Sequence, residues 1–234
     1  MKKEKYLLPG LDLQLKFIKQ RLNIENFSIA IYGSNTVNVA EKLLEGSNSI
    51  DIIVEDYESL MISKLALGKK ENIKIKLMDF ERTDFNNESI DLVYAQGAFT
   101  DFRRKTIVKE AKRILKHEGY LCVGEVVKLK DDIPPFVADI FDESSILPLS
   151  KNEFPKYYEN RNFSLIDTVD LTDTLQKYYS LNLKLLDKNK NSLTAQEKSY
   201  YKKVLNKISH ESKVYLKLGG DKYIGFVTSL FKKN

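Results

Sequence analysis

The 234-residue sequence is 42% hydrophobic and 30% charged, the balance of a globular protein able to bury a large core. Its 38 basic residues against 33 acidic ones leave +5, too small and scattered an excess to argue for nucleic acid. A single cysteine, Cys122, excludes an internal disulfide and a cysteine-rich metal centre, and His117 and His210 lack zinc-motif spacing, so no metal is expected. No stretch approaches a membrane span and no apolar run follows the opening lysines, so the expected location is cytoplasmic, without membrane contact.

Residues 11–25 carry Leu11, Leu15, Ile18 and Leu22 on one helical face, which predicts an amphipathic helix that packs on a sheet or closes over a ligand. Residues 27–56 then read as strand, tight loop, helix, strand and acid. Phe27 to Tyr32 is rich in β-formers and ends at Gly33. Val37, Ala40, Leu43 and Leu44 recur at helical spacing before Gly46, and Ile50 to Val54 runs into Glu55-Asp56. Such a unit favours a parallel pair with a right-handed crossover. A helix is predicted over 58–67, a third strand over 73–78 closed by Asp79-Phe80, and an acidic loop over 81–88. A fourth strand over 90–95 ends in Gln96-Gly97.

A helix over 106–116 turns at His117-Glu118-Gly119 into a fifth strand over 120–127. Asp131 to Ser150 reads as an irregular or short-helical insertion. Ser150 with Glu153 looks like a capping box for a helix through Asn160. Phe163 to Leu171 alternates as a strand, Leu175 to Leu186 is helical, and Asp187 to Ser192 is a polar connection to a helix ending near His210. Residues 223–230 form the last strand. Alternating strands and helices predict a three-layer α/β/α sandwich on a mostly parallel, Rossmann-like sheet.

The strands of the first half end on Gly33, Glu55, Asp79 and Gln96, which lines one sheet edge with polar groups. A carboxylate after the second strand suits a ribose diol, because it accepts two hydroxyl hydrogen bonds. Asp79 suits the amino group of an adenine, with an apolar side chain over the ring. Taken singly, each acid reads as well as a turn residue. The pair favours a nucleoside.

The stretch from Asp79 to Val93, with Phe80, Phe85 and Ile90-Asp91-Leu92-Val93, resembles the acid-to-strand block of class I S-adenosylmethionine-dependent methyltransferases acting on small molecules. Glu110 to Leu121 is similar to that family's helix-to-strand turn, and 163–166 with 223–227 resemble its last two strands. The resemblance implies a seven-stranded sheet with the last strand antiparallel, S-adenosylmethionine as cofactor and a small-molecule methyl acceptor. It implies that Gly33, Ser34 and Asn35 face the methionine part. Glu55, with Asp56 beside it, holds the ribose, Asp79 and Phe80 hold the adenine, and Gln96 with Gly97 borders the methyl-transfer site. An N-terminal helix or lid over 1–26 precedes the main domain, 27–234, whose segments near 128–160 and 172–222 cap the acceptor.

The family's first motif, acid-x-Gly-x-Gly-x-Gly, is reduced here to Ile31-Tyr32-Gly33-Ser34-Asn35-Thr36-Val37. Asn35 tolerates a left-handed backbone, whereas a branched side chain at Val37 is expected to intrude where glycine leaves room. The adenosine half of the pocket reads as intact and the methionine half as altered. Three readings stay open: an active methyltransferase, a degenerate relative serving as a partner, and another nucleotide-dependent enzyme. His117 and His210 read as surface residues. Tyr178, Tyr179, Tyr200 and Tyr201 read as packing aromatics before pocket residues, and Arg103 and Arg104 as helix surface before acceptor ligands.

Overall fold

The computed structural model describes residues 7–68, 70–192, 194 and 202–234. Strands β1 (Ser28–Tyr32), β2 (Ser49–Val54), β3 (Ile73–Leu77), β4 (Ile90–Gln96), β5 (Leu115–Lys128), β6 (Leu149–Ser150), β7 (Phe163–Asp170) and β8 (Ile224–Lys233) join in one sheet. The order is β3-β2-β1-β4-β5-β8-β7, with two-residue β6 added beside β5. All pairings are parallel except those of β8, which runs antiparallel to both β5 and β7. The expected seven-stranded path with an antiparallel last strand is therefore present. Strand order reverses between β1 and β4, which opens a crevice at the carboxyl ends of those strands.

Helices α1 (Leu13–Lys19), α2 (Val37–Leu44) and α3 (Tyr57–Leu67) cover one face. Leu15, Ile18, Val37, Leu43 and Leu60 pack there on Ile29, Ile31 and Ile52. On the other face, α4 (Arg104–Ile114) and α6 (Phe154–Glu159) bury Ile107, Ala111, Phe154 and Tyr158 against Ala30, Val93 and Leu121. A third layer of α5 (Pro135–Glu143), α7 (Thr174–Ser192) and α8 (Lys202–Lys217) sits over the carboxyl edge. Its core joins Phe141, Leu175, Tyr179 and Val214 to Phe226, and Tyr179 stacks on Tyr215 with ring centres 4.6 Å apart. Among the described residues no helix is long and apolar enough to cross a membrane.

Several boundaries differ from the sequence reading. Helix α1 begins only at Leu13, because Leu11 sits at φ 50 and its N–H closes a turn onto Leu8 O at 3.0 Å. Ser150 belongs to β6, and α6 starts at Phe154. Pro155 lacks an amide hydrogen and fits only the first turn of a helix. Helix α7 runs through Asp187 to Ser192 instead of stopping; that stretch is polar but holds no glycine or proline to end a helix. Helix α8 continues past His210 to Lys217. Part of the segment expected to lead into α8, residues 193 and 195–201, lies outside the described residues.

Helix α1 is tied to the sheet by Gln14, which is fully buried. Its amide donates to Ala95 O at 2.8 Å and accepts from the Thr228 hydroxyl at 3.1 Å. Gly124 makes the room: a Cβ there would lie 2.7 Å from the Phe226 ring and 2.8 Å from the Thr228 hydroxyl. Replacing Gln14 with alanine strands these partners and should lower stability by about 2–3 kcal/mol, read as a drop in the urea midpoint. An unchanged midpoint would mean that α1 is held by its apolar face alone.

Candidate functional site

The β1–α2 turn is built for close approach. Gly33 lies at φ 113 and Asn35 at φ 62, both in the left-handed half of backbone space. The Thr36 hydroxyl donates to Gly33 O at 2.9 Å and tightens the loop. Val37 opens α2 in helical conformation, and its side chain turns into the core between α1 and the sheet. The intrusion expected of it does not occur.

A cleft of about 400 Å³ follows this turn along the carboxyl edge. Gly33, Ser34 and Asn35 line it from β1, Glu55 and Asp56 from β2, Phe80 from the segment after β3, and Gln96 from β4. Thr100, Val126, Ile146 and Tyr178 close the lid side, and Leu7 and Leu8 stand in front. Seven of the eight residues singled out in the sequence thus meet around one cavity. Asp79 is the exception. It lies beside the cleft in a smaller cavity shared with Glu55, Leu77 and Arg103, and accepts from Glu81 N at 2.9 Å.

The roles of these side chains differ. Phe80 is buried, its ring centre 5.2 Å from that of Tyr32, and its backbone N–H donates to Glu55 Oε1 at 2.9 Å. Asp56 caps α3 by accepting from Ser59 N at 2.7 Å. Gln96 accepts from the Tyr94 hydroxyl at 2.7 Å and donates to Pro9 O at 2.7 Å and Leu11 O at 2.9 Å. Its amide therefore pins the N-terminal segment across the mouth of the cleft.

Arg103 was not foreseen here. It grips Glu55 with two parallel bonds, Nη1 to Oε1 at 2.9 Å and Nη2 to Oε2 at 2.8 Å, and also holds Asp101 at 3.0 Å. Asp79 and Glu81 stand 3.9 and 3.6 Å from the same guanidinium. The bonds to Glu55 and then Asp101 push the Arg103 pKa further up. Both oxygens of the carboxylate expected to face a ribose are thus already engaged.

Arg104 is likewise not helix surface. It is buried and reaches Glu125 Oε2 at 2.8 Å and Leu147 O at 2.5 Å. The Tyr158 hydroxyl donates to the other oxygen of Glu125. Burial raises the Glu125 pKa, opposed by Arg104, Tyr158 and the Thr100 hydroxyl that also borders the cleft. Tyr178 lines the cleft and is raised to about 12 by burial. Tyr179 is a packing residue, and Tyr200 and Tyr201 lie outside the described residues. His117 and His210 are both exposed and away from the cleft.

Residues 31–123 match the family model described as a methyltransferase domain. Over that stretch, 93 of the 234 residues, the chain resembles a class I methyltransferase domain. A search of curated proteins finds no match. Among solved structures, the chain is similar to a putative sarcosine dimethylglycine methyltransferase from Galdieria sulphuraria. Identity is 17%, the TM-score 0.74, and the match covers 95% of this chain and 84% of that one. It is similar to the cyclase SpnF at 14% identity and TM-score 0.74, covering 95% and 80%. It also resembles a phosphoethanolamine N-methyltransferase 2 from Haemonchus contortus at 11% identity and TM-score 0.78, covering 98% of this chain and 54% of that one. That structure holds phosphomonomethylethanolamine and S-adenosylhomocysteine. The cofactor of such a domain is S-adenosylmethionine.

Proposed function

We propose that the cleft holds S-adenosylmethionine and that the protein transfers its methyl group to a small-molecule acceptor. One observation carries the reading: the left-handed Gly33–Asn35 turn and the Glu55 carboxylate face one cavity at the point where strand order reverses. The sulfonium supplies an activated methyl carbon, to which the acceptor's electron pair bonds as the carbon–sulfur pair returns to sulfur. The protein's part is alignment and exclusion of water. In this reading Glu55 accepts from the ribose hydroxyls and Phe80 walls the base. Ser34 and Asn35 present backbone to the methionine part, and Asp79 meets the adenine edge beyond Arg103. The N-terminal segment and helices α5, α7 and α8 cap the acceptor.

The reading as a degenerate partner rests on the first motif's missing acid and later glycines; the blocked methionine end that would have favoured it further is absent, because the Val37 side chain lies in the core. Titration calorimetry with S-adenosylhomocysteine and with ATP tests the proposal: the first should bind at micromolar concentration and more tightly. Tighter ATP binding would favour another nucleotide-dependent enzyme, and binding of neither would favour a degenerate partner.

Arg103 competes with the ribose for Glu55. Its replacement by glutamine should therefore raise S-adenosylhomocysteine affinity by about threefold, the scale of a partly exposed ion pair. Added salt should tighten binding to the native protein more than to Arg103→Gln, because salt screens the competing pair. Weaker binding by the variant would mean that Arg103 touches the cofactor instead.

A further inference from the structure

A second and larger cavity, about 550 Å³, adjoins the cofactor cleft and shares Leu7, Leu8, Asn35 and Gln96 with it. The larger one is a trough between α1, α2 and α7. Its size falls in the range of small-molecule sites, about 300–1,000 Å³. Leu11, Leu13, Val39 and Leu181 give it apolar walls. Leu13 is 41% exposed although it belongs to a helix whose opposite face is buried.

The charges in the trough are arranged unevenly. Each helix contributes one lysine: Lys16 from α1, Lys42 from α2 and Lys177 from α7. The acids are Asp12 and Asp173. Asp12 pairs with Lys42 at 3.0 Å. Lys16 and Lys177 make no ion pair among the described residues, so two free ammonium groups face one aspartate across apolar walls. Both lysines are exposed and solvated, so their excess positive charge favours an anionic ligand over a cationic one by the modest margin of exposed ion pairs.

We propose that this trough binds the methyl acceptor and that the acceptor is a small amphiphilic acid, an apolar chain ending in an anionic headgroup. The chain lies along Leu13, Val39 and Leu181, and the headgroup meets Lys16 and Lys177. Naming the ligand as acceptor rests on the methyl-transfer reading; the site and its ligand class do not.

Calorimetry on the full chain with monomeric decanoate and decyltrimethylammonium tests this. Decanoate should bind the native protein at least about threefold more tightly than the cation, the scale of two solvent-exposed ion pairs. The double variant Lys16→Glu/Lys177→Glu should reverse that order while S-adenosylhomocysteine affinity stays the same. Absence of decanoate binding, equal or tighter binding of the cation, or an unchanged order in the variant would overturn the proposal. S-adenosylhomocysteine titrated into the same samples separates the two claims. Decanoate binding without it sinks only the cofactor reading, and the converse sinks only the trough.

Discussion

Replacing Arg104 with methionine should cost about 3–5 kcal/mol of stability, because it leaves Glu125 charged, buried and without its main counter-charge. The side chains of this pair are 4% and 0% exposed, so neither solvent nor salt can compensate. The loss carries a pH signature. Burial already raises the Glu125 pKa, and without Arg104 it rises further. A folded-state pKa above the unfolded one gives stability that is fully present below the ordinary carboxylate range. That stability is lost as pH rises through the raised value. The penalty of Arg104→Met should therefore shrink on acidification, measured as the difference in urea midpoint between the two proteins at neutral and mildly acid pH. A double variant, Arg104→Met with Glu125→Leu, should recover much of the loss. A penalty that ignores pH and survives the double change would assign the effect to the Arg104 guanidinium over the Tyr157 ring.

Replacing Glu55 with alanine should weaken S-adenosylhomocysteine binding about thirtyfold. That is roughly 2 kcal/mol, the worth of two hydrogen bonds to a carboxylate less the relief of losing the Arg103 competitor. The coupling to Arg103 makes the prediction specific. Arg103→Gln should tighten binding in the native background and have no such effect once Glu55 is alanine, so the two substitutions are non-additive. Additive effects, measured by calorimetry on the four proteins of the cycle, would mean that the ribose and Arg103 do not share the Glu55 oxygens.

The sheet was legible because its signal is local. Runs such as Ile29-Ala30-Ile31 and, but for Asp51, Ile50 to Val54 are apolar over the length of a buried strand, and each is followed by a glycine or an acid. The Gly33–Asn35 turn was legible for the same reason, since only glycine and asparagine suit positive φ at low cost. What escaped depends on partners distant in the chain. Arg103 meets Glu55 across 48 positions and Gln14 meets Ala95 across 81, and no spacing rule brings either pair together. An arginine after β4 reads as helix surface until the fold aims it at the end of β2. Val37 misled for a related reason. Sequence marks the position where a glycine is missing, but the helical start of α2 decides which way the side chain turns, and here it turns into the core. Asp79 follows β3 as expected, yet it lines a neighbouring cavity with Glu55 and Arg103 rather than the main cleft.

A crystal structure of the protein with S-adenosylhomocysteine tests the central claim most directly. The ribose hydroxyls should sit on the two oxygens of Glu55, with the Arg103 guanidinium withdrawn toward Asp101 and the methionine part against Ser34 and Asn35. A complex in which the Arg103–Glu55 pair stays closed and the nucleoside lies elsewhere would contradict it.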